Sequence, residues 1–181
     1  MPGRRSLERL LVVAVGSGLA AVTWAGRPEP VMPAFDASLA GFEGTWMTPY
    51  EFEDEERPLR LVIRNDAGRL AVRYELPTED KLHPSDWRGQ IEFKTRLNVR
   101  ERHTITYQVE PGSGRISFSE RIEQKGGRNA QELLIVGHYA LENGQILRHC
   151  ASVLLNDEPL PCPPVPMVYT RVSDETRWVD R

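Results

Sequence analysis

From Leu59 onward the chain places apolar side chains at every second position. Leu59, Leu61 and Ile63 alternate with Arg60, Val62 and Arg64, and Leu70, Val72, Tyr74 and Leu76 alternate with Ala71, Arg73 and Glu75. A period of two puts each set on its own face of a β-strand. Asn65-Asp66-Ala67-Gly68 lies between the two runs and has the composition of a tight turn, so they form a hairpin. Ile91, Phe93, Thr95, Leu97 and Val99 then alternate with Glu92, Lys94, Arg96, Asn98 and Arg100, giving one dry and one wet face. Ile105, Tyr107 and Val109 follow, then a turn at Pro111-Gly112-Ser113-Gly114. Ile116, Phe118 and Ile122 come next, with Glu120 among them on the same face.

The last third reads differently. Glu132 to Leu141 and Ile146 to Leu155 are apolar on both faces and are joined by the hairpin turn Glu142-Asn143-Gly144. Both faces of these strands therefore call for apolar cover. The segment before Trp46, the C-terminal tail, or a second copy of the chain in a homodimer would supply it. Met167 to Val172 is the final strand.

Upstream, Asp36 caps a short helical turn that points Leu39 and Phe42 downward, and strand one runs from Gly44 to Phe52. The acidic run Glu51 to Glu56, the stretch Pro77 to Trp87 with His83, Pro84 and Asp86, and the segment Glu158 to Pro166 with five prolines read as loops. Nine strand-like runs result, or eight if the last fails to pair, spaced mostly about 10–15 residues apart with no long helical pattern. The expected fold is an all-β, up-and-down antiparallel barrel of eight to nine strands, with a two-sheet β-sandwich of the same strands as the alternative.

Composition sets the compartment. The chain has 181 residues with a net charge of −3, which excludes the dense basic face of a non-specific nucleic-acid binder. Residues 1–25 read as a secretory signal peptide: Arg4, Arg5 and Arg9, then an uncharged run from Leu10 to Ala25 with small residues at the cut point. That run is shorter than the roughly 20 residues needed to span a bilayer, and retention as an anchor is the other reading of it. No integral membrane segment is expected after it. Removing it takes away three Arg and one Glu, leaving 20 basic and 25 acidic side chains and a net charge of −5. Residues 26–34 form a Pro-rich linker, 35–172 the barrel, and 173–181 a polar tail. Export to the periplasm or outside makes Cys150 and Cys162, an even pair, a disulfide.

Two short segments suggest a family. Phe35-Asp36 followed by Gly44-Thr45-Trp46 at the mouth of strand one resembles the opening signature of lipocalins and their calycin relatives. Tyr169-Thr170-Arg171 in the last strand resembles the closing one. The likeness covers the mature chain in strand count and order, and these two segments in sequence. The middle signature, an acidic turn with Asp-Tyr, has no match, which points to divergent bacterial lipocalin-like groups. The resemblance implies that Trp46 plugs the closed end of the barrel, with Arg171 laid across its ring.

The candidate chemistry is sparse. His83, His103, His138 and His149 form no metal-binding motif, and no nucleophile elbow, P-loop or dinucleotide fingerprint occurs, so no cofactor is expected. His138 and His149 are equidistant from the Asn143-Gly144 turn, which makes them cross-strand neighbours with Cys150 alongside. An enzyme reading would have to bring Glu120, His138 and His149 together. The expected ligand-binding set is the inward aromatics Tyr74, Phe93, Tyr107, Phe118 and Tyr139 above Trp46. That set lines either a pocket for a small hydrophobic molecule or a filled core, in which case the protein works through its outer surface. Glu120 and Arg148, if inward, favour a cavity, because a dry core does not tolerate unpaired charge.

Overall fold

The computed structural model describes residues 31–49, 51–52, 55–56, 58–77, 82–94, 99–126 and 130–178. The expected signal peptide, most of the linker, residues 95–98 of the cleanest alternating strand and the last three residues of the tail lie outside them. The described chain contains a 3-10 turn at Ala37–Phe42 followed by strands. These are β1 (Gly44–Thr48), β2 (Glu51–Phe52), β3 (Glu55–Glu56), β4 (Leu59–Asp66), β5 (Arg69–Pro77), β6 (Leu82–Pro84) and β7 (Gln90–Lys94). They continue as β8 (Arg100–Val109), β9 (Arg115–Lys125), β10 (Gln131–Glu142), β11 (Gln145–Leu155), β12 (Glu158–Leu160) and β13 (Met167–Ser173).

Ten of these strands form a nearly closed antiparallel barrel in the order β6-β5-β4-β1-β13-β11-β10-β9-β8-β7. The first and last strands meet, with Met47 opposite Thr170. The count exceeds the expected eight to nine because the stretch Pro77 to Trp87, read as loop, contains β6, which pairs with the end of β5. The Pro-rich segment after β11 also departs from its reading as loop. Asn156 and Asp157 both take positive φ, the geometry of a tight hairpin turn, and fold β12 back against the end of β11. Pro159 is tolerated there because β12 lies at an edge. Strand one stops at Thr48 rather than Phe52, and the acidic run read as loop instead pairs Glu51–Phe52 with Glu55–Glu56 as the separate ribbon β2–β3.

The period-two pattern sets the register. Leu61 lies opposite Tyr74, Tyr107 opposite Phe118, and Tyr139 opposite both Ile116 and Arg148. Their apolar members join Trp46, Ile63, Val72, Ile91, Ile105 and Ile146 in one continuous core. One face of each long barrel strand is thereby removed from water, the dominant driving force for folding.

The lower end of the barrel is plugged. Asp36 caps the 3-10 turn by accepting from Ser38 N at 2.8 Å, and Leu39 and Phe42 are buried beneath the strands. Trp46, 1% exposed, donates from Nε1 to the Phe42 carbonyl at 2.8 Å. The Arg171 guanidinium lies 4.6 Å from its ring centroid and donates to the Gly41 carbonyl oxygen. Pro33 to Phe35, which the sequence assigned partly to a linker, bonds instead to the β4–β5 turn through Phe35 N to Gly68 O and Leu70 N to Pro33 O.

The seam between β5 and β8 is laced by Ser85–Gln90. Ser85 N donates to Tyr74 O at 2.8 Å on one side, and Ile105 N donates to Gly89 O at 2.9 Å on the other. Asp86 shapes this loop, its Oδ1 accepting from Arg88 N and Gln90 N. Gly89 has φ +79°, and a Cβ there would sit 2.9 Å from the Ile105 carbonyl oxygen.

Outside, the tail covers β4 and β5 rather than β10 and β11. Trp178 lies between Arg60, at 3.9 Å, and Arg73, at 4.3 Å, while Trp87 lies 3.8 Å from Arg64. Beneath them Arg60 and Glu75 form a buried ion pair at 3.1 Å. On β10 and β11 the outward Leu134, Val136, Leu147 and Leu154 are half-buried. Cys150 and Cys162 form the expected disulfide, tying β11 to the segment before β13.

Gly89→Ala is expected to destabilise the fold by about 1–3 kcal/mol, since it combines a positive φ with a clash against backbone. Gly68→Ala, also at positive φ but in open space, should lose about 1 kcal/mol. Urea unfolding of the two variants side by side checks this, and equal losses would mean that the seam does not constrain Gly89.

Candidate functional site in the barrel interior

Above the Trp46 plug the interior turns polar. β9 carries Glu120 inward between Phe118 and Ile122, because all three share one parity of the strand. β8 brings His103 and Glu101 to the same level, with His103 opposite Ile122 and Ile105 opposite Glu120. β11 supplies Arg148, opposite Tyr139. These groups join in a chain. Gln124 Nε2 donates to Glu101 Oε2 at 2.7 Å, and His103 meets Glu101 Oε1 through Nε2 at 2.6 Å and Glu120 Oε1 through Nδ1 at 3.3 Å. Arg148 donates to Glu120 Oε2 and lies 4.5 Å from the centroid of the Phe118 ring.

The electrostatics follow from this geometry. Burial alone would raise the Glu120 carboxyl, but the Arg148 charge and then the hydrogen bond and charge of His103 outweigh it and bring its pKa down to about 2. Burial opposes charge on His103 as well. Its two carboxylate partners overcome that and raise its pKa above 6.5. With an acceptor on each ring nitrogen, the imidazolium, which has two N–H donors, is the form that fits. Glu101 is lowered likewise, against burial, by the hydrogen bond and charge of His103. The four groups in their ionised forms therefore carry two positive and two negative charges.

Four tyrosines surround the pair. Tyr74, Tyr107, Tyr139 and Tyr169 are all buried, and burial pushes each phenol up. Each is close enough to Glu120 and Arg148 for both charges to act on its ionisation. Among the described residues, Tyr74 Oη and Tyr107 Oη have no hydrogen-bond partner. Buried polar atoms are rarely left so, and each such group costs about 1–3 kcal/mol. Arg148 keeps 21% of its side-chain surface accessible although it is turned toward buried Glu120 and Phe118.

The expected ligand-binding aromatics divide among three places. Tyr74, Tyr107, Phe118 and Tyr139 are inward and adjoin the charged chain, with Phe118 and Tyr139 at 5.1 Å. Phe93 is inward near the upper rim, stacked between His83 at 4.4 Å and His103 at 6.0 Å. Trp46 belongs to the plug at the opposite end. Glu120 and Arg148 are inward, but they pair with each other, so the unpaired charge that would call for a cavity does not arise. Glu120, His138 and His149 are not brought together: the two histidines stack on the outer wall at 4.8 Å, beside a surface groove of about 430 Å³ bordered by Gln108, Arg115 and Ser117. No group of three metal-ligating side chains occurs among the described residues.

Sequence reasoning missed Glu101, His103 and Tyr169. The signal for the first two was present, since they continue the parity of Ile105, Tyr107 and Val109. A charged residue at an inward position has the same letter as one at an outward position, and only its neighbours across the sheet distinguish them.

Linkage gives this chain a pH window. His103 is raised in the folded state, so its contribution is complete below about pH 6.5 and is lost as pH rises through the folded value. Glu120 is lowered, so its contribution is complete above about pH 4.5 and is lost as pH falls toward 2. The thermal midpoint should peak between these limits, and His103→Gln should flatten the alkaline limb. An unchanged alkaline slope in that variant would remove His103 from this role. Arg148→Ala should cost about 3–5 kcal/mol by leaving buried Glu120 with His103 as its one remaining charged partner, with much of the loss recovered in Arg148→Met/Glu120→Gln.

Among the described residues no helix is long and apolar enough to cross a membrane. No protein-family model matches the chain, and neither a curated protein nor a solved structure matches it.

Proposed function

We propose that the chain is an exported, lipocalin-like binding protein whose barrel holds one small, largely apolar molecule. A single observation carries this reading: the inward face holds Glu120, His103 and Arg148 together with two buried tyrosine hydroxyls that lack hydrogen-bond partners. A core selected only for packing would bury no such groups. The apolar walls come from Ile91, Ile105 and Ile135 with the rings of Phe118 and Tyr139, a lining typical of small-molecule sites. Export is supported by the character of residues 1–25 and by the Cys150–Cys162 disulfide, a bond favoured in oxidising compartments. Binding and transport or storage of a molecule, rather than turnover, fits a site whose titratable groups are locked onto one another.

The test uses the chain lacking residues 1–25 and the neutral fluorophore N-phenyl-1-naphthylamine. Its emission should rise on binding. Ile135→Trp, which adds bulk on the inward face opposite Glu120, should weaken uptake at least tenfold while far-ultraviolet circular dichroism stays unchanged. Absence of uptake by the parent protein, or uptake unaffected by Ile135→Trp, would sink the proposal and leave the outer surface as the working face.

A further inference from the structure

We infer that His138 and His149, facing each other across β10 and β11 on the outer wall, form a two-imidazole chelate for a divalent transition-metal ion such as Ni2+, Cu2+ or Zn2+. The pair lies outside the barrel, so the inference does not depend on a ligand within it. His138 is directly opposite His149 in the strand register, and their rings stack at 4.8 Å and 13°. Both residues are half-buried, so water and ions reach them. Among the described residues, neither ring has a hydrogen bond or ion pair within the protein. Each neutral imidazole therefore keeps one nitrogen lone pair to offer. The other two histidines differ. His103 meets a carboxylate at each nitrogen, and Phe93 stacks between it and His83. Both cysteines are held in the disulfide, so no thiolate competes for the ion.

The backbone beneath the pair is fixed from both sides. Gly137, next to His138, lacks the Cβ that would collide with the His149 carbonyl oxygen, and the bulge follows at once. Cys150, next to His149, is tied to Cys162. Two ligands on fixed strands lose little freedom in closing on one ion, which is what lets a chelate outbind a lone imidazole. An ion with nitrogen ligands at about 2.0–2.1 Å needs the two nitrogens roughly 3 Å apart, a spacing that rotation of the stacked rings reaches. Imidazole suits Ni2+, Cu2+ and Zn2+, whereas Mg2+ and Ca2+ prefer oxygen. Burial, then His149 and Arg115, hold the His138 pKa below 6.5 against the opposing charge of Glu142, so the ring is in its metal-binding form at neutral pH. His138 also lines the outer groove with Gln108 and Ser117. Coordination positions that the rings do not fill stay with water there, as in an exchangeable site rather than a closed structural one.

The test is calorimetric titration of Ni2+ at neutral pH into the chain lacking residues 1–25, its disulfide intact, with electron paramagnetic resonance of the Cu2+-loaded protein. One equivalent of Ni2+ should bind. His138→Ala and His149→Ala should each weaken it at least about tenfold, with circular dichroism unchanged and His83→Ala without effect. The Cu2+ spectrum should show coupling to two imidazole nitrogens, and to one in either variant. Parent affinity in either single variant, or copper coupled to one imidazole in the parent, would show that the two rings do not act together and overturn the inference. So would Ni2+ binding to the parent no tighter than to His138→Ala/His149→Ala.

Discussion

Glu120 keeps its charge inside a β-barrel, and much of what surrounds it follows from that. A carboxylate cannot be taken out of water alone. It is answered here by Arg148 from β11 and by His103 from β8, on strands that flank β9 and β10. His103 in turn requires Glu101, and Glu101 is held by Gln124. The chain crosses three strands, so it ties their register together as firmly as it balances charge. A one-residue slip of β9 would turn Glu120 outward and leave Arg148 without its carboxylate partner.

The two ends of the barrel differ in kind. Below, Leu39, Phe42 and Trp46 form a dry plug in which the sole indole donor is satisfied by the Phe42 carbonyl, and Arg171 covers the ring. Above, aromatic rings carry hydroxyls, imidazoles and charges. The tyrosines allow this change, since each buries an apolar ring and presents a polar tip. Packing below supplies stability, and the polar layer above accepts some loss of stability in the form of two unsatisfied hydroxyls. Such loss is characteristic of sites shaped for something other than folding.

Gly137 links the two layers. A Cβ at that position would collide with the His149 carbonyl oxygen and lie 2.8 Å from the Phe118 ring. Its absence lets β10 and β11 approach at the bulge between Val136 and Gly137 and leaves room for the Phe118 ring, which lies 4.5 Å from the Arg148 guanidinium. The outer wall follows another rule. Arg60 and Glu75 are buried on it only because Trp178, more than a hundred residues away in sequence, closes over them.

The sequence by itself determined which residues face in and which face out. Alternation is a property of the extended backbone, so Tyr74, Tyr107, Phe118 and Glu120 could be placed on one side from their spacing alone. It also made legible the Asp36 cap, the hairpin turns and the Cys150–Cys162 pair. Only the tertiary structure decided how many strands close the ring, because closure at the seam depends on Asp86, Gly89 and the short β6, whose bonds run to distant strands. It alone decided that Glu101 and His103 belong to the interior chain, that His138 and His149 stay outside it, and that Trp178 covers β4 and β5. The physical reason is the same in each case. Direction along a strand is set by local stereochemistry, whereas partnership is set by which strands become neighbours, and a ring of ten strands fixes neighbours only when it closes.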